Sequence, residues 1–361
     1  MNPTPTSSEI LFYIGTYTQP GKSAGIHAAM LDIQTGKISS PWLAAEVENP
    51  TWVTLSQNGK FLYASREARE SKMVGFRLEE NGRKLQTLNV VSTGGDTACH
   101  LSMDKTEKIL FVANYGNGSV EAVQVLEDGS LGERTAFIKY EVPSADPAKQ
   151  RRSFAHGIYA DAENKRVYVC DLGTDRVWIH RFDAKKGTLR PSDPPFAEIP
   201  AQSGPRHLVL HSKGRIAYTN GEMGLNVTVF KRSPINGALL PIQTISTLPE
   251  GAERKGATTS GIALHPSEKW LYVSNRGHDS ITVYSVASDG KLTWIENVPA
   301  QVRCPRGFGI DPSGQWLVVG GQLDDRITTL KINSDTGKLM PSGHTVGVFA
   351  PVCIAFTPAT K

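Results

Sequence analysis

Apolar and polar residues alternate along most of this chain, in short runs broken by turns. The runs IHAAMLD, MVGFRLEE, VEAVQVLED, VWIHRFDA, VTVFKRS, ITVYSVAS and ITTLKINSD put an apolar residue at nearly every second position. That period predicts half-buried β-strands. After each run comes a Gly followed by Leu or Ile: Gly36-Lys37-Ile38, Gly129-Ser130-Leu131, Gly187-Thr188-Leu189, Gly237-Ala238-Leu239, Gly290-Lys291-Leu292 and Gly337-Lys338-Leu339, with Gly82 preceding Leu85 one residue late. Such a Gly predicts a tight turn with positive φ. Upstream of each run lies a more apolar strand: LFYIG, FLYAS, ILFVAN, RVYVC, IAYTN, WLYVSN and WLVVGG. Before these come short turns, and before the turns a first strand: PTWVTLS, ACHLSMD, AHGIYAD, PRHLVLH, SGIALH, PRGFGID and APVCIAF.

The chain therefore reads as repeats of four strands. The last first strand, at the C-terminus, has no strands after it, and the N-terminal strands from Leu11 have no first strand before them. Each remnant supplies what the other lacks. The expected fold is all-β, a seven-bladed β-propeller with four antiparallel strands per blade. Pairing of the C-terminal strand with the N-terminal strands would close it and remove the sheet edges of an open array. Residues 1–10 are expected as a tail, and residues 11–361 as a single domain.

Composition narrows the class further. Of 361 residues, 39% are hydrophobic, and 39 basic against 35 acidic residues leave a formal charge of +4. The signs are interspersed. The clusters Lys149-Gln150-Arg151-Arg152 and Lys185-Lys186 read as solvated loops, so no nucleic-acid partner is expected. No apolar stretch is long enough to span a bilayer and no signal peptide is visible, so no membrane partner is expected. Cys99, Cys170, Cys304 and Cys353 form no CxxC pair and read as reduced thiols of a cytoplasmic protein.

In a ring of this kind, the start of strand one and the end of strand two lie side by side at one mouth of the channel. Aligning the strand-one starts gives Trp52, His100, His156, His207, Gly261, Gly307 and Cys353, each preceded by Thr51, Cys99, Ala155, Arg206, Ser260, Arg306 and Val352 in turn. The strand-two ends are Tyr17, Glu67, Tyr115, Leu172, Glu222, Arg276 and Gln322. Core positions look alike from repeat to repeat, and these do not. Imidazoles, guanidiniums and carboxylates are expected to converge there, as a ligand site would require. Arg276 and Arg306 could pair with Glu222 and Glu67 as structural ion pairs. His27, His180, His211, His265, His278 and His344 fall on other strands or turns and read as structural.

The motifs Ala155-His156-Gly157, Gly204-Pro205-Arg206-His207, Asn220-Gly221-Glu222, Ser274-Asn275-Arg276, Pro305-Arg306-Gly307-Phe308 and Gly320-Gly321-Gln322 resemble the seven-bladed lactonase family. That family includes bacterial cycloisomerase-type 6-phosphogluconolactonases and fungal carboxy-cis,cis-muconate cyclases. The resemblance runs from about Leu11 to Phe356, with Tyr13-Ile14-Gly15-Thr16-Tyr17 fitting as well. It implies cytoplasmic lactone chemistry without a metal or other cofactor. It also implies His156, Arg206, Glu222 and Arg276 as catalytic residues.

Lactone hydrolysis needs a base for water, donors for the oxyanion and an acid for the ring oxygen. His156 or Glu222 is expected to activate water. Arg206 and Arg276 are expected at the oxyanion or at an anionic tail of the substrate, and Arg306 and His207 to add positive charge for a phosphate or carboxylate. His100, Glu67, Tyr115 and Gln322 complete the expected substrate contacts. No GxSxG elbow is present, which argues against an acyl-enzyme. The expected partner is a small anionic lactone, 6-phosphogluconolactone foremost, bound by a monomer or weak homo-oligomer. Muconate cycloisomerisation is the alternative activity. A metal-dependent gluconolactonase-type site using Asn114 and Asn275, and a non-enzymatic ligand- or protein-binding propeller, are the competing classes.

Overall fold

The computed structural model describes residues 8–141 and 152–358. The Lys149-Gln150-Arg151 part of the basic cluster lies outside them. Twenty-eight strands, numbered β1 to β28 in chain order, form seven four-stranded antiparallel sheets, with one 3-10 turn at Glu80–Gly82.

The sheet that closes the ring is built from both chain ends. Its order is β28 (Pro351–Phe356), β1 (Glu9–Thr16), β2 (Gly25–Asp32) and β3 (Trp42–Glu46). Tyr13 pairs with Ala355 on one side and Ala28 on the other. Glu9 and Ile10 pair with Asp32 and Leu31, so β1 starts two residues before Leu11.

The first strands of the other six sheets are β4 (Trp52–Leu55), β8 (Ala98–Met103), β12 (Ala155–Ala160), β16 (Pro205–Leu210), β20 (Thr258–Leu264) and β24 (Pro305–Ile310). Each touches the first strand of the next sheet, and β28 touches both β24 and β4. These seven strands line the axis.

The repeat motifs have a physical cause. The turn glycines Gly36, Gly82, Gly129, Gly187, Gly237, Gly290 and Gly337 all have positive φ, which a side chain would strain. Their carbonyls bind the neighbouring blade. Tyr13 donates its hydroxyl to Gly82 O at 2.5 Å, and Tyr63, Tyr168, Tyr218 and Tyr272 repeat the bond at Gly129, Gly237, Gly290 and Gly337. The other two blades lack that tyrosine, and Thr135 and Thr329 hydroxyls reach Gly187 O and Gly36 O instead. The tyrosine of the LYV strand and the glycine of the turn are thus two halves of one interblade bond. Leu85 is late because Gly82 is the third of the four residues between paired Glu79 and Lys84, whereas Gly187 is the fourth between Asp183 and Thr188.

Candidate active site

At the mouth, six of the seven first strands carry a register shift. In the fourth sheet Ala155 faces Asp171 and Gly157 faces Cys170, so His156 is an extra residue. The same count makes Cys99 and Arg306 extra, and places the shifts of the remaining blades at Arg206-His207, Ser260-Gly261 and Val352. A bulge lets consecutive side chains turn toward the same side. In β16 both Arg206 and His207 use it to reach the channel.

These bulges correct the expected alignment by one residue. His156 is equivalent to Cys99, Arg206 and Arg306, whereas the equivalent of His100 and His207 is Gly157. The charged groups and most of the imidazoles therefore form two tiers.

The outer tier centres on Glu222. Its Oε2 lies 2.8 Å from Arg206 Nε and its Oε1 lies 2.9 Å from Arg276 Nη2. Both contacts are ion pairs. The two arginines are further fixed by backbone carbonyls, Arg206 donating to Ser260 O at 2.9 Å and Arg276 to Thr259 O at 3.2 Å. Across the mouth, Glu67 accepts hydrogen bonds from Tyr17 (3.0 Å) and Thr51 (2.6 Å). The Arg306 guanidinium sits 5.8 Å above the Tyr17 ring. Arg306 makes no ion pair with Glu67, contrary to the pairing considered above, and its guanidinium has no hydrogen-bond partner among the described residues. Tyr115 stacks on Phe154 at 4.8 Å and presents itself edge-on to His156 at 5.6 Å. Gln322 accepts a weak bond from the Cys304 thiol.

The inner tier is an aromatic plug. Trp52 packs 4.4 Å from the His100 ring and 5.1 Å from the His207 ring. Tyr159 packs 4.6 Å from His100 and bonds His207 Nδ1 at 2.7 Å. A Cβ at Gly157 would lie 2.8 Å from the Tyr159 ring and 2.9 Å from Arg206 O. Tyr159, two residues further along β12, thus fills the space that an imidazole fills in the neighbouring blades. It was not among the expected site residues. The one sequence signal for it was the glycine standing where a His or Trp recurs.

Electrostatics divide the tiers. Burial, and then the Arg206 charge, hold His156 and His207 well below the ordinary imidazole range and His100 down at about 3. All three are neutral at pH 7. Burial and the Arg206 charge thus oppose the positive charge expected of His207. Burial pulls Arg206 down to about 10, partly offset by Glu222, so it remains a cation. Burial also opposes the Arg306 charge, but Tyr17, Glu67 and Glu222 outweigh it and hold the group above its ordinary value. Three guanidiniums face two carboxylates, so the mouth is net positive. Burial pushes the Cys99 thiol up to about 12, which makes it a poor nucleophile.

Glu222 is occupied by two arginines. Asn114 and Asn275 donate Nδ2 to Ser119, Glu121, Ser280 and Thr282 of their own blades, and their Oδ1 atoms have no partner among the described residues. Other histidines are tied into the frame, as expected: His180 to Tyr140, His265 to Ser267 and Gly314, and His211 to Glu268. The four cysteines are free. Among the described residues no helix is long and apolar enough to cross a membrane.

A family profile described as "Lactonase, 7-bladed beta-propeller" matches residues 11–356. The 6-phosphogluconolactonase of Bacillus subtilis (strain 168) is 31% identical over 348 residues, covering 95% of this chain and 97% of that protein. A 6-phosphogluconolactonase of Formosa agariphila is 30% identical, over 82% of this chain and 85% of its own length. The solved periplasmic gluconolactonase PpgL of Pseudomonas aeruginosa superposes with a TM-score of 0.90 at 26% identity, covering 98% of this chain and all of that one. With seven four-stranded blades in a closed ring and the family profile matched over residues 11–356, this chain belongs to the seven-bladed β-propeller lactonase family.

Proposed function

We propose that this chain hydrolyses an anionic sugar lactone, 6-phosphogluconolactone foremost, at the Arg-rich mouth of the channel. One observation carries the choice of substrate. Arg206 and Arg276 are both engaged by Glu222, whereas Arg306 is held charged and has no ion-pair or hydrogen-bond partner among the described residues. A guanidinium fork left open in a net positive mouth suits a phosphate. The names of the Bacillus and Formosa relatives agree with that reading.

In this mechanism Arg306 holds the phosphate, and Arg206 and Arg276 present N–H donors to the lactone carbonyl. Water attacks the carbonyl carbon, a C–O bond forms, and the oxyanion is stabilised by the arginines. The ring C–O bond then breaks and its oxygen takes a proton. His156 and Glu222 are the groups at the mouth able to move these protons. With the Cys99 thiol held protonated, water attacks directly. Charged phosphosugars do not cross membranes unaided, so the activity belongs in the cytoplasm. One chain completes the mouth, so a monomer suffices.

The test is a side-by-side turnover assay with freshly made 6-phosphogluconolactone, gluconolactone and a carboxymuconate, each with and without EDTA. Acceleration of the phosphorylated lactone above the other two, unchanged by EDTA, is expected. Preference for the carboxymuconate would assign cycloisomerisation instead, loss of activity in EDTA a metal site, and no turnover at all a binding role.

A further inference from the structure

Where the outer tier meets the plug, two buried imidazole nitrogens lack a partner among the described residues: Nδ1 of His156 and Nε2 of His207. They belong to neighbouring rings, whose centroids are 5.0 Å apart and whose planes meet edge-on at 81°. A buried nitrogen without a partner loses its bonds to water and gains none in return, so a pair of them side by side calls for an explanation.

Tautomers decide what each can do. The Tyr159 hydroxyl faces the Leu208 backbone N–H, which can only donate, and His207 Nδ1 at 2.7 Å, so its own proton is directed to Nδ1. With Nδ1 accepting, neutral His207 must carry its proton on Nε2. His100 is fixed the same way, its Nδ1 accepting the Ile158 backbone N–H at 3.3 Å. His207 therefore offers an unused N–H beside His156, whose Nδ1 is unused as well.

We infer that Tyr159 and His207 are positioning residues that fix His156 as the Nε2–H tautomer, so that His156 is the proton donor of the site and Glu222 the acceptor. The 5.0 Å separation of the two rings is short enough for a His207 Nε2–H to His156 Nδ1 hydrogen bond to form on ring rotation, and that bond is part of the inference. The remaining proton of His156 is then on the nitrogen directed away from His207. This division of labour rests on the hydrolytic reading above. Glu222 takes a proton from the attacking water, and the His156 Nε2 proton passes to the ring oxygen as its C–O bond breaks. Giving up that proton leaves His156 as an imidazolate beside the Arg206 charge, and the proton held by Glu222 passes through solvent to restore it. The enzyme is unchanged over the cycle, one proton is released as the product carboxyl ionises, and no redox partner is needed.

The tautomer can be read without any substrate. Long-range proton–nitrogen NMR of the whole chain, labelled at histidine nitrogens and assigned with His156→Gln and His207→Gln, should show His156 protonated at Nε2 with Nδ1 accepting. A His156 protonated at Nδ1 overturns the inference, whether or not the protein turns over lactones. Tyr159→Phe should then release His207, giving mixed tautomers at both rings. On the proposed lactone it should lower kcat about tenfold or more with KM nearly unchanged. Unchanged tautomers and kcat in a folded Tyr159→Phe protein would also overturn it. Failure of the hydrolytic reading would show differently: the wild-type tautomer as stated, but no lactone turned over.

Discussion

The Glu222 carboxylate lies 2.8 Å from the Arg206 guanidinium, in a contact where the arginine is almost completely buried. Arg276 holds the other oxygen of the same carboxylate. One acidic side chain thus bridges two cations from neighbouring blades. Glu222→Gln leaves both without a counter-charge. Complete burial would make that break cost several kcal/mol, but the carboxylate keeps some solvent contact, so about 1–3 kcal/mol is expected. Urea unfolding of the variant checks the value. Lactone turnover should fall by about 100-fold or more in the same protein. A variant as stable and active as the parent would show that the pair carries neither role.

Arg306 is expected to act on binding. Hydrogen bonds to a charged group contribute about 1.5–3 kcal/mol, so Arg306→Gln should raise KM for the phosphorylated lactone about 10–100-fold. Gluconolactone, which has no phosphate, should change by about twofold at most. Arg306→Lys should restore part of the difference, since it keeps the charge but loses the fork. Steady-state kinetics on the two lactones decide it, and an equal loss on both would remove the phosphate role.

The buried imidazoles make stability depend on pH. In the unfolded chain they take up protons near pH 6.5. In the folded protein burial and Arg206 keep His100 neutral down to about 3, and His156 and His207 are depressed in the same direction. Below pH 6.5 the unfolded state therefore binds more protons. Stability is complete above that pH and falls as pH drops, by up to about 1.4 kcal/mol per unit for each imidazole. His100→Gln removes one share. Between pH 6.5 and 5 it should lose about 1–2 kcal/mol less than the parent, as measured by denaturant unfolding at each pH. Parallel curves would mean that His100 is protonated in the folded state.

Gly157→Ala tests the plug without replacing a polar group. The added methyl meets the Tyr159 ring at 2.8 Å and the Arg206 carbonyl at 2.9 Å, so one of them must move. Overpacking of this kind costs about 1–3 kcal/mol. The Tyr159–His207 bond should loosen, and the kinetic effect should follow that of Tyr159→Phe. Thermal unfolding and kcat together check it. A neutral substitution would show that the plug has room to spare.

The ring itself was legible before any coordinates. Period-2 runs, the turn glycines and the split first repeat are local signals, and Tyr13 and Gly82 show why they recur together: they bond across blades. The convergence of Arg206, Glu222 and Arg276 was legible for the same reason, because strand ends share a mouth. The tier of His156 was not. An extra residue at a bulge leaves no trace in an alternating pattern, so His156 was aligned with His100 and His207 when it belongs with Arg206 and Arg306. Tyr159 was hidden for a related reason. It lies inside a strand whose apolar neighbours make it look like core, and only the contact with His207 across two blades reveals its part. The neutrality of His207 was also out of reach, since it depends on burial and on the Arg206 charge together.

The most direct measurement is the rate of 6-phosphogluconolactone hydrolysis by the parent chain and by the folded variants His156→Ala and Arg276→Ala, each set against the spontaneous rate. Acid–base and oxyanion groups of this kind contribute about 100-fold or more. The parent should accelerate the reaction, and each variant should lose at least that factor. Full activity in both variants would contradict the assignment of this mouth as the site of lactone hydrolysis.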